Sequence, residues 1–119
     1  MKLKLSSFGR KHGPIEADLV IDVRCLQNPF WEPQLKEMSG LDPAVQDYIL
    51  AHSGEYMERL RSLLELHLSL AQERGFESLH MAFGCTGGRH RSVCTAVLMA
   101  KALEKAGYEI ELNHRDLKL

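Results

Sequence analysis

Long hydrophobic runs are what this chain most plainly lacks. No apolar stretch approaches the roughly 20 residues that a bilayer-spanning helix needs. The start, Met1-Lys2-Leu3-Lys4-Leu5, has no apolar h-region, so no secretory signal is expected there. Net charge is missing too: 15 Lys and Arg stand against 16 Asp and Glu. No global basic excess therefore announces nucleic acid or an anionic membrane surface. Cysteine is sparse, and three of them, widely spaced, make no disulfide framework. A reducing, cytoplasmic compartment is the expectation. Internal repeats, low-complexity tracts and linkers are also absent, and 119 residues make one domain, residues 1–119.

What is present is an alternation of strand and helix signals. Lys2 to Ser6 alternates lysine with leucine, which predicts a strand with one covered face near a sheet edge. Ser7 to Pro14 reads as a loop. Ala17 to Cys25 contains Leu19-Val20-Ile21-Asp22-Val23, a buried-strand pattern with one carboxylate in it, ended by Asn28-Pro29. Phe30 to Gly40 is irregular, with Trp31 expected as its packing anchor. Asp42-Pro43 starts a helix, the carboxylate as N-cap and proline at the first turn, stopping near Ala51 before Ser53-Gly54. A second helix, Glu55 to Arg74, is closed by Gly75, with Tyr56, Leu60, Leu63, Leu64, His67 and Leu70 as its apolar face. Leu79 to Phe83 is the third strand, Ser92 to Ala106 the third helix and Tyr108 to Leu112 the fourth strand. This order predicts an α/β domain: a mostly parallel, roughly four-stranded sheet with helices packed on its faces.

In such sheets ligands sit at the carboxyl ends of the strands. Polar clusters from four segments fall there: Ser7, Gly9, Arg10 and Lys11; Asp22, Arg24 and Asn28; the glycine loop after the third strand; and His114, Arg115 and Asp116. The richest tract is Phe83-Gly84-Cys85-Thr86-Gly87-Gly88-Arg89-His90-Arg91-Ser92-Val93. A strand that breaks at glycines and reopens as a helix aims several N–H groups at one point, and the helix terminus adds partial positive charge. Arginine forks suit oxyanions, so a phosphate site is expected at Thr86, Gly87, Gly88, Arg89, His90, Arg91 and Ser92. Asp22, inside an apolar strand, needs a partner, either Arg24 or Arg91 as an ion pair or a ligand.

Two catalytic or metal readings compete with simple binding. Cys85, five residues, Arg91 and Ser92 resemble the phosphate loop of cysteine-dependent phosphatases, with Gly84 where that family usually carries His. There a thiolate attacks phosphorus while arginine clamps the oxygens. No upstream aspartate is placed as the general acid. A zinc site would use Cys85, His90, Cys94 and His114, whose spacing matches no compact zinc motif. No metal or cofactor is expected.

With these residues in hand, the chain resembles the C-terminal domain of the RapZ family, the bacterial RNase adapter proteins. The matching tracts are Ser7-Phe8-Gly9 with Lys11 and Gly13, Asp22 to Pro29 with Trp31, Gly40-Leu41-Asp42, Gly84 to Val93, and His114-Arg115-Asp116. The resemblance implies a sensor of glucosamine-6-phosphate that binds small regulatory RNA in enterobacterial members. By position, Thr86, Gly87, Gly88, His90 and Arg91 would hold the phosphorylated ligand. Members usually add an N-terminal P-loop domain not contained in this sequence, so nucleotide hydrolysis is not inferred. Many carry His where this chain has Phe30, and the basic tail of RNA-binding members has no counterpart in Asp116 to Leu119.

The expectation is thus a non-enzymatic binding and regulatory module for a hexosamine phosphate, with a cysteine phosphatase as the alternative. An RNA-binding module using Lys11, Arg89 and Arg91 is the third reading. Partners left open are RNA, a regulatory protein and a second copy of the chain; a membrane is not among them.

Overall fold

The structure, a computed structural model, describes residues 1–119. Four strands, β1 (Lys2–Gly9), β2 (Leu19–Asp22), β3 (Ser78–Cys85) and β4 (Ile110–His114), form one sheet in the order β2-β3-β1-β4. Every pairing is parallel. Two helices connect them: α1 (Pro43–Glu73) between β2 and β3, and α2 (Arg91–Lys105) between β3 and β4.

Alternation along the central strands explains the layering. Leu3 and Leu5 of β1, with Leu79, Met81 and Phe83 of β3, project to one face. They share a single core with Val45, Ile49, Met57, Leu60, Leu64 and Leu68 of α1 and with Met99, Ala100 and Leu103 of α2. Each such large side chain contributes about 1.5–3 kcal/mol on leaving water. On the opposite face Lys2, Lys4, Ser78 and His80 stand at the open end, and Ser6, Phe8, Ala82 and Gly84 are buried nearer the carboxyl edge. The β1–β2 crossover covers that half. Arg115 holds it there, donating to the carbonyls of Gly13 and Pro14 while its guanidinium lies 5.4 Å from the Phe8 ring centroid.

Several sequence expectations need correcting. β1 is central, not near an edge; its alternation reflects a sheet covered on one side at that end. β2 is an edge strand shorter than Ala17 to Cys25, with Val20 exposed, although the Val23 N–H still donates to the Gly84 carbonyl. The two helices expected around Ser53-Gly54 are joined in α1, broken only by non-helical dihedrals at Ser53 (φ −137°, ψ 28°). Asp42 is the N-cap residue, but its carboxylate accepts from the Ser39 N–H at 2.8 Å rather than from a helix amide. The buried face of α1 is Met57, Leu60, Leu64, Leu68 and Ala71, and Leu63 and Leu70 are exposed.

Candidate anion-binding site

β1 and β3 stay paired to their carboxyl ends, Gly9 beside Cys85, and from there a loop, Thr86 to His90, enters α2 at Arg91. Its shape depends on close backbone approach. Gly88 has φ +76°, and a Cβ there would lie 2.7 Å from the Gly9 nitrogen. A Cβ on Gly9 would in turn lie 2.5 Å from the Gly87 carbonyl carbon, so these glycines interlock. Asp116 locks the same junction by accepting from the Gly9 N–H at 2.7 Å. Burial opposes ionisation of Asp116, but hydrogen bonds from Arg115 and from Gly9 outweigh it and hold the carboxyl below its ordinary value.

The loop amides have no protein acceptor. Gly87, Gly88, Arg89 and His90 donate neither to a carbonyl nor to a side chain. Unpaired consecutive amides at the N-terminus of a helix form a concavity suited to an anion. Arg91 completes it. Its Nη1 donates to the carbonyl of Arg24 at 2.6 Å, and its buried Nε has no partner at all. Orphaned buried donors are rare and costly.

These groups open into a cavity of about 490 Å³ lined by Lys11, Asn28, Phe30, Trp31, Cys85, Thr86, Gly87, Arg89, His90 and Arg91. Cations line it and no carboxylate does. Lys11 is anchored beside the loop by its own N–H, which donates to the Thr86 carbonyl at 3.2 Å. Asn28 caps the turn Pro29–Trp31 by accepting from the Phe30 N–H, and so presents the two aromatics at the rim. Trp31 is 76% exposed and meets Phe30 edge-to-face, so it is a rim residue and not the packing anchor expected from sequence. Phe30 was not among the predicted site residues; the aromatic pair that follows Asn28-Pro29 is the signal that could have found it. A comparable depression of about 530 Å³ at the opposite sheet edge is lined by Lys2, Asp18, His80 and Glu111 among others. There His80 is bonded to Ser6, and its N–H to Asp18.

The remaining predicted residues divide by role. Arg89 lines the cavity, yet its guanidinium is engaged by the carbonyls of Met38, Glu37 and Lys118. His90 caps α2 and is buried, its Nε2 lying 3.2 Å from the Leu35 carbonyl, and burial lowers its pKa. As that carbonyl can only accept, Nε2 carries the proton. Ser92 is buried, its Oγ 3.1 Å from Cys85 Sγ. Asp22 pairs with Arg24 rather than with Arg91 or the cavity. That guanidinium bonds both its oxygens and lowers its pKa to about 2. His114 bonds Ser7 Oγ at 2.6 Å, and Arg115 is spent on Asp116 and the crossover. No group of three His, Cys, Asp or Glu side chains is arranged to hold a metal ion, and Cys94 is buried in the core.

A family model described as the RapZ C-terminal domain matches residues 1–118. The chain belongs to that family. Among curated relatives of this RapZ-type domain, a "Nucleotide-binding protein" of Limosilactobacillus reuteri is 45% identical over 119 residues, covering 98% of this chain and 41% of the relative. One from Erythrobacter litoralis is 49% identical over 116 residues, covering 95% and 38%. One from Carboxydothermus hydrogenoformans is 41% identical over 121 residues, covering 99% and 42%. The chain thus spans about two fifths of the length of these relatives.

Proposed function

We propose that this RapZ-type domain is a regulatory binding module whose cavity takes the phosphate of a small phosphorylated molecule, an amino-sugar phosphate such as glucosamine-6-phosphate. The carrying observation is the combination of four unpaired loop amides with the unpartnered Nε of buried Arg91. The several oxygens of one phosphate can share these donors between them and meet the positive end of the α2 dipole. In this reading Lys11 supplies a positive charge at the cavity wall, and Asn28, Phe30 and Trp31, which line the same cavity, would contact the sugar ring.

The cavity favours binding over turnover. A phosphatase needs an acid for the leaving group, and neither aspartate at this edge is free, since Asp22 is held by Arg24 and Asp116 by Gly9 and Arg115. The ring of Phe8 also occupies the space beside Gly84, 2.5 Å from where a Cβ would be, so the usual histidine of that family has no room. RNA recognition through Arg89 and Arg91 has little support, because one is engaged by carbonyls and the other is buried.

Calorimetry with glucosamine-6-phosphate, glucosamine and inorganic phosphate tests the proposal. Binding is expected for the sugar phosphate, weaker for inorganic phosphate and undetectable for glucosamine. Arg91→Ala is expected to weaken it by about 1.5–3 kcal/mol, the worth of a charge-assisted hydrogen bond. Circular dichroism must show the variant folded, since Arg91 also holds the strand-end carbonyl of Arg24. Equal affinity for glucosamine and its phosphate would place the anion elsewhere.

A further inference from the structure

Arg89 lines the anion cavity, yet each of its guanidinium nitrogens donates to a backbone carbonyl. Nε reaches Met38 at 2.8 Å, Nη1 reaches Lys118 at 3.0 Å and Nη2 reaches Glu37. No carboxylate pairs with it. The Glu37 and Met38 carbonyls belong to the segment that leads from the aromatic turn Pro29–Trp31 to α1. That segment meets the loop at further points. The Gly40 N–H donates to the Arg89 carbonyl at 2.8 Å, and His90 Nε2 donates to the Leu35 carbonyl at 3.2 Å. A Cβ on Gly40 would lie 2.6 Å from the His90 carbonyl oxygen, so the two backbones touch. Nearer the turn, the N–H groups of Leu35 and Lys36 donate to the Glu32 carbonyl, and Lys36 Nζ lies 4.8 Å from the Phe30 ring centroid. Contacts thus run without a gap from Arg89 to the aromatic wall of the cavity.

We propose that Arg89 is a positioning residue and not an anion ligand: it fixes the segment bearing Phe30 and Trp31 against the loop and so sets affinity for the organic part of the ligand. The phosphate is left to the loop amides and Arg91. This role rests on the reading of the cavity as a sugar-phosphate site. Its physical basis is preorganisation, since a wall already held in place need not be ordered when the ligand arrives. It also explains the choice of side chain. A planar fork can hold acceptors from two distant segments at once, whereas an ammonium is a point charge on a flexible stem. Lysine at this position would keep the charge and lose the fork, so the two roles make different demands on it.

Calorimetry of Arg89→Gln and Arg89→Lys with glucosamine-6-phosphate and with inorganic phosphate tests this, with circular dichroism as the folding control. Both variants are expected to bind the sugar phosphate about tenfold more weakly, and inorganic phosphate within about threefold of the unaltered chain. Trp31 is the only tryptophan in the chain, so time-resolved anisotropy of its emission reports the segment directly. Faster local motion of Trp31 is expected in both variants without any ligand. Equal losses for the two ligands, or a loss in Arg89→Gln that Arg89→Lys restores, would make Arg89 a charge acting on the anion and overturn the proposal. Unchanged Trp31 motion would overturn it as well. If the unaltered chain binds neither ligand, the sugar-phosphate reading fails, and Trp31 motion then decides the positioning role by itself.

Discussion

Gly88 shows how much of this site is backbone. With φ +76° and the Gly9 nitrogen 2.7 Å from the place of a Cβ, any side chain there meets both conformational strain and a backbone clash. Gly88→Ala is expected to destabilise the fold by about 1–3 kcal/mol and to lose phosphate binding even in the folded fraction. A variant with native urea stability would show that the loop is laxer than its contacts imply. Cys85 is the other informative residue. Its sulfur lies against Ser92 Oγ in the floor of the cavity, where it packs as a small buried group. Cys85→Ser is expected to keep sugar-phosphate affinity within about threefold, because serine preserves size and a hydrogen bond. Neither form should turn over an aryl phosphate above background. Turnover abolished by Cys85→Ser would instead make the thiol a nucleophile.

At the scale of elements, α1 illustrates what a break in a helix is for. Ser53 leaves helical dihedrals, and the two halves place Val45 and Ile49 on one side of it and Met57 to Leu68 on the other in one core. Gly54, next to the break, meets nothing within 4 Å of its would-be Cβ and has no positive φ. Gly54→Ala is therefore expected to raise stability by about 0.5–1 kcal/mol, the helix-interior difference between the two residues. A lower urea midpoint in that variant would mean that glycine itself makes the kink. The same helix marks the limit of pattern reading. Apolar residues occupy more than one face between Tyr56 and Leu70, and periodicity cannot say which of them meets the sheet. β1 misleads for a related reason, since alternation reports which faces are covered and not whether a strand lies at an edge.

Across the whole molecule, stability is expected to fall with acid in two stages. Burial lowers the pKa of His80, His90 and His114. A histidine depressed in the fold contributes stability that is complete above its unfolded value, near 6.5, and is lost as pH falls below it. Asp22 and Asp116 are also held low, the first by Arg24, the second by hydrogen bonds that outweigh its burial. Their contribution is present above the ordinary carboxylate range and lost as pH falls through their lowered values, a modest effect at exposed Asp22. The urea midpoint should therefore drop from about pH 7.5 to about pH 5.5 and again below about pH 4. A midpoint that rises between the first two values would contradict the burial of these histidines.

Sequence by itself determined the α/β class, the strand-helix alternation and the loop from Gly84 to Ser92, because each depends on local signals: periodicity, glycine, proline and caps. It also carried the family, since residues 1–118 match the RapZ C-terminal domain along their length. Only the tertiary structure decided how the polar residues at that edge divide. Asp22 and Arg24 satisfy each other, His114 bonds the Ser7 hydroxyl and Arg115 bonds Asp116 and backbone carbonyls, whereas the amides of Gly87 to His90 and the Nε of Arg91 are left without partners. Residue type shows that a group can donate. Whether its partner is already within the protein depends on which distant segments the fold brings beside it.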